Sequence, residues 1–318
     1  MKFRELSGQV PGAQSDSAVR SVILDEMYAA CPILEHAEFY THTGNADAPL
    51  KNATANGGNV RAINSDYADN TTAPVYGSTA LKVFGDKIQT DMAYQRRGID
   101  VAGEHLRQIK TFARGLGRDL TNRFFNDTVT ATTFGGLKSI IPVAQKKQFD
   151  TVNGGDVPLG NATAEKKQQQ KFLEALDNLI QLVRGGATVL YMDNKTLTRL
   201  KSIARDFVQV TNIQDAIGNP LQLASYNGIP IRISGYKKDD SALVIPHDEV
   251  CGTGTTCTSV YAVRWAEKND LTMVSNVGLQ AINKGVVGPH LTTWVDCDLD
   301  LVLLNDKAVA RLEGVIIA

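Results

Sequence analysis

The chain of 318 residues carries 33 Lys and Arg against 34 Asp and Glu, and 43% of its residues are hydrophobic. This length allows two domains or one elaborated domain, and the hydrophobic content excludes wholesale disorder. The net charge of -1 gives no overall attraction to nucleic acid or to an anionic membrane. No apolar run approaches the ~18 residues of a membrane span, and no secretory signal is recognisable, so we expect a cytoplasmic origin.

Residues 1–36 are predicted to form an arm that docks on other parts of the protein. The first sixteen residues are mostly polar, and a helix follows that begins near Ser15 or Ser17 and ends before Pro32. One short amphipathic helix cannot form a core alone, so it must pack elsewhere. Its apolar side chains share one face at helical spacing: Val19, Val22, Ile23 and Met27.

Residues 37–92 are predicted to form a long extended excursion. Its centre, residues 41–74, is rich in Asn, Ala, Gly and Thr, and strand-like segments lie on either side. A loop of this length inside a compact domain is uncommon and usually functional or disordered, and a hairpin with little core is unstable alone. We therefore expect this segment to contact a neighbouring subunit.

The strongest helical pattern lies between residues 93 and 126, and a helix of about 25 residues would be roughly 37 Å long. Its apolar side chains recur at spacings of three and four: Ile99, Ala102, Leu106, Ile109, Ala113, Leu116 and Leu120. A second stripe, about 120° around the helix, is basic and consists of Arg107, Lys110, Arg114 and Arg118. This stripe is either a solvated face or a contact with phosphates or with acidic groups of a neighbour.

The passage after this helix, residues 127–142, contains no side chain suited to catalysis. A polar run leads to the sequence Phe134, Gly135, Gly136, Leu137. We interpret these four residues as a structural turn in which Phe134 and Leu137 anchor the chain in the core and the glycines let the backbone pass closely. On this interpretation, Gly136→Val or Leu137→Asp should block folding or assembly.

Residues 151–257 alternate between helical and strand patterns, and residues 258–318 are mostly strand. An amphipathic helix ends at Gly185-Gly186, a buried strand follows, and Asp193 or Asn194 caps a second helix. These patterns predict an α+β fold in which a mixed helix-and-strand unit is inserted between strand-rich parts.

The sequence contains no phosphate-binding loop, dinucleotide fingerprint, zinc-protease helix or nucleophile elbow. His247, Cys251 and Cys257 lie within eleven residues, but zinc sites normally use four ligands in tighter pairs, so two semi-buried thiols explain the pattern better than a metal or a disulfide. The alternating aspartates of residues 296–300 favour a polar sheet face over a cation site, because same-face strand neighbours are about 6.6–7 Å apart. We predict no enzyme, no cofactor and no metal.

The order of these segments resembles that of the major capsid proteins of tailed bacteriophages, which have the Hong Kong 97-type fold. Residues 90–127 ("TDMAYQRRGIDVAGEHLRQIKTFARGLGRDLTNRFFND") are similar to the spine helix of that family, and residues 132–142 ("TTFGGLKSIIP") to the aromatic-Gly-Leu segment that follows it. Residues 292–315 are similar to the closing strand and apolar tail of the family. The resemblance covers nearly the whole chain.

The resemblance implies five parts: an N-terminal arm (1–36), an extended E-loop (37–92), the spine helix with the first part of the P-domain (93–150), an A-domain (151–257) and the return strands of the P-domain (258–318). A loop within residues 208–222 would face the centre of hexamers and pentamers. The basic stripe would contact a neighbouring subunit or the lumen of the shell.

The function implied by the resemblance is an icosahedral head shell that encloses packaged double-stranded DNA non-specifically. The partners would be other copies of the chain in hexamers and pentamers, a separate scaffolding protein, a portal and a decoration protein, with no membrane. The protein would be located in the virion after assembly in the cytoplasm of the bacterial host. Some family members join a loop lysine covalently to a neighbour, and Lys51, Lys82 and Lys87 lie in the corresponding region.

Two alternatives stay open. An encapsulin-like nanocompartment has the same fold, but its subunit usually begins with a helix that packs into the shell, and it holds cargo enzymes instead of DNA. The alternative from a different class is an oligomeric α/β enzyme without a recognisable motif.

Overall fold

A computed structural model describes residues 1–8, 16–44, 46–47, 50–51, 58–67, 75–76, 79–148, 157–158, 166–204, 208–214, 220–251 and 254–316. Parts of the predicted excursion at 37–92 and of the predicted loop at 208–222 therefore lie outside the described residues. Within the described ranges, no helix is long and apolar enough to cross a membrane.

The helices are α1 (Phe3–Gly8), α2 (Ser17–Ala30), α3 (Ala93–Arg96), α4 (Val101–Asn126), α5 (Leu137–Ile140), α6 (Lys166–Leu182) and α7 (Asn194–Ile203). Aspartates cap α2, α4 and α7, because each aspartate carboxylate accepts backbone N–H groups of the first helical turn: Asp16, Asp100 and Asp193. The sequence pattern favoured Ser15 or Ser17 as the cap of α2, but the cap is Asp16, which lies between them. For α7, Asp193 is one of the two predicted caps.

The strands are β1 (Phe39–Thr41), β2 (Ala46–Asp47), β3 (Leu50–Lys51), β4 (Val75–Tyr76), β5 (Thr79–Ala80), β6 (Lys82–Asp91), β7 (Lys146–Gln148), β8 (Val157–Pro158), β9 (Val189–Met192), β10 (Val208–Gln214), β11 (Pro220–Tyr226), β12 (Ile229–Ile233), β13 (Glu249–Cys251), β14 (Gly254–Val263), β15 (Leu271–Ser275), β16 (Gln280–Val287), β17 (His290–Leu303) and β18 (Val309–Ile316). Together with the helices they form the mixed fold that the sequence predicts.

The smaller sheet is organised around β17, in the order β1-β15-β17-β16, with β6 also paired to β17. The β6–β17 ladder is antiparallel and runs from Lys82 opposite Leu299 to Asp91 opposite His290. Before β6, strand β2 pairs with β5 and β3 pairs with β4, both antiparallel. The chain therefore leaves the smaller sheet and returns to it as an extended two-stranded excursion.

The larger sheet has the order β10-β11-β12-β9-β14-β18-β7, with β13 beside β14 and β8 beside β18. Strands β9 and β12 precede residue 258, whereas β18 follows it, and β14 joins the two groups by pairing with both β9 and β18. One sheet thus connects the predicted A-domain with the predicted return strands, and the five-part division of the chain stays a prediction.

Two hydrophobic cores cover opposite faces of the larger sheet. Val189 and Tyr191 of β9 belong to the main core, with α1, α2, α4 and the smaller sheet. Leu190 and Met192 of the same strand belong to the second core, with α6 and α7. This division follows from strand geometry, because successive side chains point to opposite faces. Strand β9 is buried on both sides, as its uninterrupted apolar sequence predicts.

Residues 1–8 differ from the polar arm expected from the sequence. Phe3 and Leu6 of α1 are buried in the main core, and the ring of Phe3 lies 5.0 Å from that of Phe39, centroid to centroid. The backbone N–H of Leu279 donates a hydrogen bond to Ser7 Oγ at 3.0 Å. Two apolar side chains in a short polar helix give too weak a pattern for a packed element to be predicted.

Helix α4 confirms the predicted long helix but buries a different face at its start. Ile99, a predicted helical position, lies before α4 and is 44% exposed, and Leu106 is 42% exposed. Val101 and His105 are buried instead. From Ile109 onward the predicted apolar positions are buried. At Gly117, an added Cβ would lie 2.9 Å from the Met27 carbonyl oxygen of α2, so this glycine permits the close approach of the two helices.

Candidate assembly surfaces

The predicted basic stripe lies along α4, where Arg107, Lys110 and Arg114 are exposed and Arg118 is half-buried. Three of its members form ion pairs within the chain: Arg107 with Glu104 at 2.6 Å, Arg114 with Glu26 at 2.7 Å and Arg118 with Asp240 at 2.7 Å. Within the described ranges, Lys110 has no ion-pair partner. The stripe is therefore partly neutralised in the subunit, and its contact with a neighbour or with the lumen stays a prediction.

The turn after α4 brings the chain back against the end of that helix. Phe134 and Leu137 are buried in the main core. The Gly136 N–H donates to the Asp127 carbonyl oxygen at 2.8 Å, and an added Cβ on Gly136 would lie 2.5 Å from the Arg123 carbonyl oxygen. The backbone of Gly136 thus passes so close to the helix end that the position has no room for a side chain.

A charge network around the largely buried carboxylate of Glu249 connects this turn to the larger sheet. Lys138 of α5 and Arg311 of β18 each lie 2.9 Å from the carboxylate of Glu249 in β13, and Ser259 donates a short hydrogen bond to the same carboxylate. Burial alone would raise the pKa of Glu249, but Arg311, Ser259 and Lys138 together hold this pKa below its usual value. The sequence gives no sign of this network, because its members lie far apart along the chain.

A second buried polar group joins α4 to the β6–β17 ladder. Thr90 donates to Gln108 Oε1 at 2.7 Å, so its hydroxyl accepts the Nδ1–H of His105 at 2.8 Å. The other ring nitrogen, Nε2, forms a hydrogen bond with the Thr293 hydroxyl at 2.8 Å. Burial lowers the pKa of His105, which favours the neutral ring, and in that state Nε2 accepts from Thr293. A histidine inside an apolar pattern was the only indication of this site in the sequence.

The extended excursion exposes large apolar side chains. Val60 and Ile63 are 101% and 92% exposed, and further exposed apolar residues lie on the same part of the chain: Tyr67, Val75, Tyr76 and Val83. Exposed apolar patches mark interaction surfaces. These residues are therefore candidates for a contact with a partner.

The candidate metal ligands are not assembled into a site. Cys251 and Cys257 are buried, and in the β13–β14 register Cys251 lies opposite Gly254 and Cys257 opposite Glu249. Asp300 is one of the alternating aspartates of residues 296–300, which the sequence offered as a possible cation site. Burial raises its pKa to about 6, with a smaller opposing effect of Lys82. No group of three or more His, Cys, Asp or Glu among the described residues is placed to hold a metal ion.

Neither a protein-family model nor a curated protein matches this sequence. Solved structures do match. A chain of the holo-SrpI encapsulin complex from Synechococcus elongatus PCC 7942 has a TM-score of 0.57 at 14% identity, over 88% of this chain and 85% of that one. A chain of the native GTA particle capsid has a TM-score of 0.54 at 13% identity, over 91% of both chains.

A chain of the satellite phage P4 procapsid has a TM-score of 0.52 at 8% identity, over 93% of this chain and 99% of that one. These neighbours come from capsid and encapsulin shells, not from enzymes. The fold is therefore the Hong Kong 97-type shell fold, as the resemblance predicts, and the similarity extends over most of the chain. At these identities the comparison establishes the fold alone.

Proposed function

We propose that the protein is a major capsid protein that assembles into the icosahedral head shell of a tailed bacteriophage around double-stranded DNA. The observation that carries this proposal is an excursion with exposed apolar side chains on a Hong Kong 97-type fold. Side chains that one subunit leaves in water would be covered by neighbouring copies in a shell. The similarity to chains of the P4 procapsid and of the GTA capsid supports the phage assignment.

In this proposal the subunits form hexamers and pentamers, and a scaffolding protein, a portal and a decoration protein are the further partners. The basic stripe of α4, with Lys110 as its unpaired member among the described residues, would contact a neighbour or the packaged DNA. A subunit with a net charge of -1 is compatible with this role, since the interior of a shell must not immobilise the genome.

An encapsulin-like nanocompartment is the second candidate, because α1 packs into the main core. A helix packed in this way is the feature by which encapsulin subunits differ from those with a long free arm. The similarity to the SrpI encapsulin chain points in the same direction. The shell would then enclose protein cargo.

Electron microscopy of the particles, followed by analysis of their contents, tests the proposal. The chain is expressed with and without the other products of its own genomic neighbourhood, and particles are treated with nuclease before their contents are extracted. Shells tens of nanometres across that protect double-stranded DNA are the expected result. Shells that hold protein cargo and no DNA would establish the second candidate. A stable small oligomer with enzymatic turnover would overturn both.

A further inference from the structure

A cavity of about 540 Å³ lies where the end of α2, the middle of α4 and the segment after β12 meet. Three arginines line it: Arg114 and Arg118 from α4 and Arg232 from β12. The volume lies within the range of small-molecule sites. Arg114 and Arg118 belong to the basic stripe, but neither the stripe nor any sequence motif accounts for the third guanidinium group, that of Arg232, at the same cavity.

Among the described residues, Glu35 is the only carboxylate that lines the cavity, so the described lining carries more positive than negative charge. The guanidinium groups are held in place by other groups: Arg114 by Glu26 at 2.7 Å, Arg118 by Asp240 at 2.7 Å, and Arg232 by Glu35 and by His36 Nε2 at 3.2 Å. Glu26 and Asp240 lie outside the lining. Among the described residues these contacts use one nitrogen of Arg114 and one of Arg118, and a guanidinium has five N–H donors.

The hydroxyl of Ser234 is a second, independent observation. Ser234 lines the cavity and is 2% exposed, and its Oγ has no hydrogen-bond partner among the described residues. Native structures rarely leave a buried hydroxyl unsatisfied, and such a group indicates a missing water, ion or ligand. Because Ser234 belongs to the lining, rotation of its side chain would place this donor beside the three guanidinium groups, an arrangement that fits an anion.

We propose that this cavity binds a phosphate-class oxyanion. A single carboxylate offers two oxygens, whereas a phosphoryl group offers three or four and more negative charge, which matches three guanidinium groups and a hydroxyl better. Burial lowers the pKa of Arg232 to about 10, so this guanidinium is still charged at neutral pH. The proposal does not depend on whether the protein encloses DNA or cargo.

Calorimetric titration of the purified protein with inorganic pyrophosphate at low salt tests the site. We expect one saturable site per chain. Arg118→Gln should weaken binding at least about tenfold, because it removes charge-assisted hydrogen bonds. Ser234→Ala should weaken it about fivefold and should not lower the unfolding temperature of the unliganded protein, since the hydroxyl it removes has no partner in the described structure.

Lys110→Gln is the matched control, because it removes one positive charge from the same helix outside the cavity. We expect its affinity for pyrophosphate to equal that of the wild type. The absence of a saturable site would overturn the proposal, as would an equal loss of affinity in Lys110→Gln and Arg118→Gln. If Arg118→Gln does not fold, Ser234→Ala still decides the question, because unchanged affinity in that variant would exclude the hydroxyl from the site.

Competition with a short single-stranded oligonucleotide distinguishes the source of the phosphate. Displacement of pyrophosphate by the oligonucleotide, lost in Arg118→Gln, would support the site and identify nucleic-acid phosphates as a source. Binding of pyrophosphate without such displacement would support the site and assign it to free phosphate compounds.

Discussion

Gly136 occupies a position where space, not conformation, requires glycine. A Cβ there would lie 2.5 Å from the Arg123 carbonyl oxygen and 2.8 Å from the Asp127 nitrogen, and both are backbone atoms that cannot move aside. We expect Gly136→Ala to lower the free energy of unfolding by about 3 kcal/mol. Gly115→Ala is the control, because its Cβ meets nothing within 4 Å and alanine in a helix should add about 0.5–1 kcal/mol. Equal urea midpoints for both variants would contradict this account.

Glu249 makes the stability of the subunit depend on pH in the acidic range. Its folded-state pKa is held below the ordinary value of 4.5, mainly by Arg311 acting against burial. Its contribution is therefore present above about pH 4.5 and is lost as the pH falls through the folded-state pKa. We expect Glu249→Gln to cost about 3 kcal/mol at neutral pH and less under strongly acidic conditions.

Urea unfolding of wild type and Glu249→Gln across this pH range measures the effect. Glu104→Gln is the comparison variant, because it removes one carboxylate from an exposed ion pair with Arg107 and should change stability much less. A constant difference between wild type and Glu249→Gln at all pH values would show that the charge of Glu249 is not the cause.

At the scale of the element, α4 shows how far a sequence pattern reaches. Its periodicity predicts the helix, and the positions from Ile109 onward are buried as expected. At the start of α4, the β6–β17 ladder determines which face of the helix is buried, because it covers His105 and leaves Leu106 partly exposed. Hydrophobic periodicity predicts that a histidine lies on the surface. His105 is buried instead, and Thr90 and Thr293 form hydrogen bonds with its two ring nitrogens. A partner so distant in sequence is invisible to a local pattern.

Protonation of His105 as the pH falls should weaken the hydrogen bonds through which α4 holds β6 and β17. Burial lowers the folded-state pKa of His105 below 6.5, so the unfolded chain binds the proton more readily and stability decreases below about pH 6.5. His105→Gln cannot titrate, and we expect a flatter dependence of the unfolding temperature on pH. Burial also lowers the pKa of His36, to about 4, so His36 gives stability a pH dependence of the same sign. His36→Gln is therefore the comparison variant, which measures that separate contribution. Identical pH profiles for wild type and His105→Gln would refute this role.

For the whole molecule, the sequence predicts the elements better than their pairing. The mixed fold, the long helix and the extended excursion follow from local composition and periodicity. The strand order of the larger sheet does not follow from composition and periodicity, because it depends on pairings between distant segments. One example is the pairing of β18 with β7, where Arg311 lies opposite Lys146. The resemblance to capsid proteins implies an arrangement of parts that periodicity could not give, and that five-part division stays a prediction. The oxyanion cavity was not predictable, since Arg232 and the α4 arginines come together only in the folded chain.

The exposed apolar residues of the excursion separate folding from assembly. Val60 and Ile63 are almost fully exposed, so replacing both by serine removes no packing within the subunit and should leave its urea midpoint unchanged. In a shell, each of these side chains would be buried against a neighbour, and burial of a Val or Ile side chain contributes about 1.5–3 kcal/mol. Because every subunit repeats this loss, we expect Val60→Ser/Ile63→Ser to shift the protein from shells to free subunits in sedimentation velocity. Val143→Ser, which changes a valine that is 84% exposed outside the excursion, should assemble normally. Wild-type yields of shells from the double variant would show that this segment is not an assembly surface.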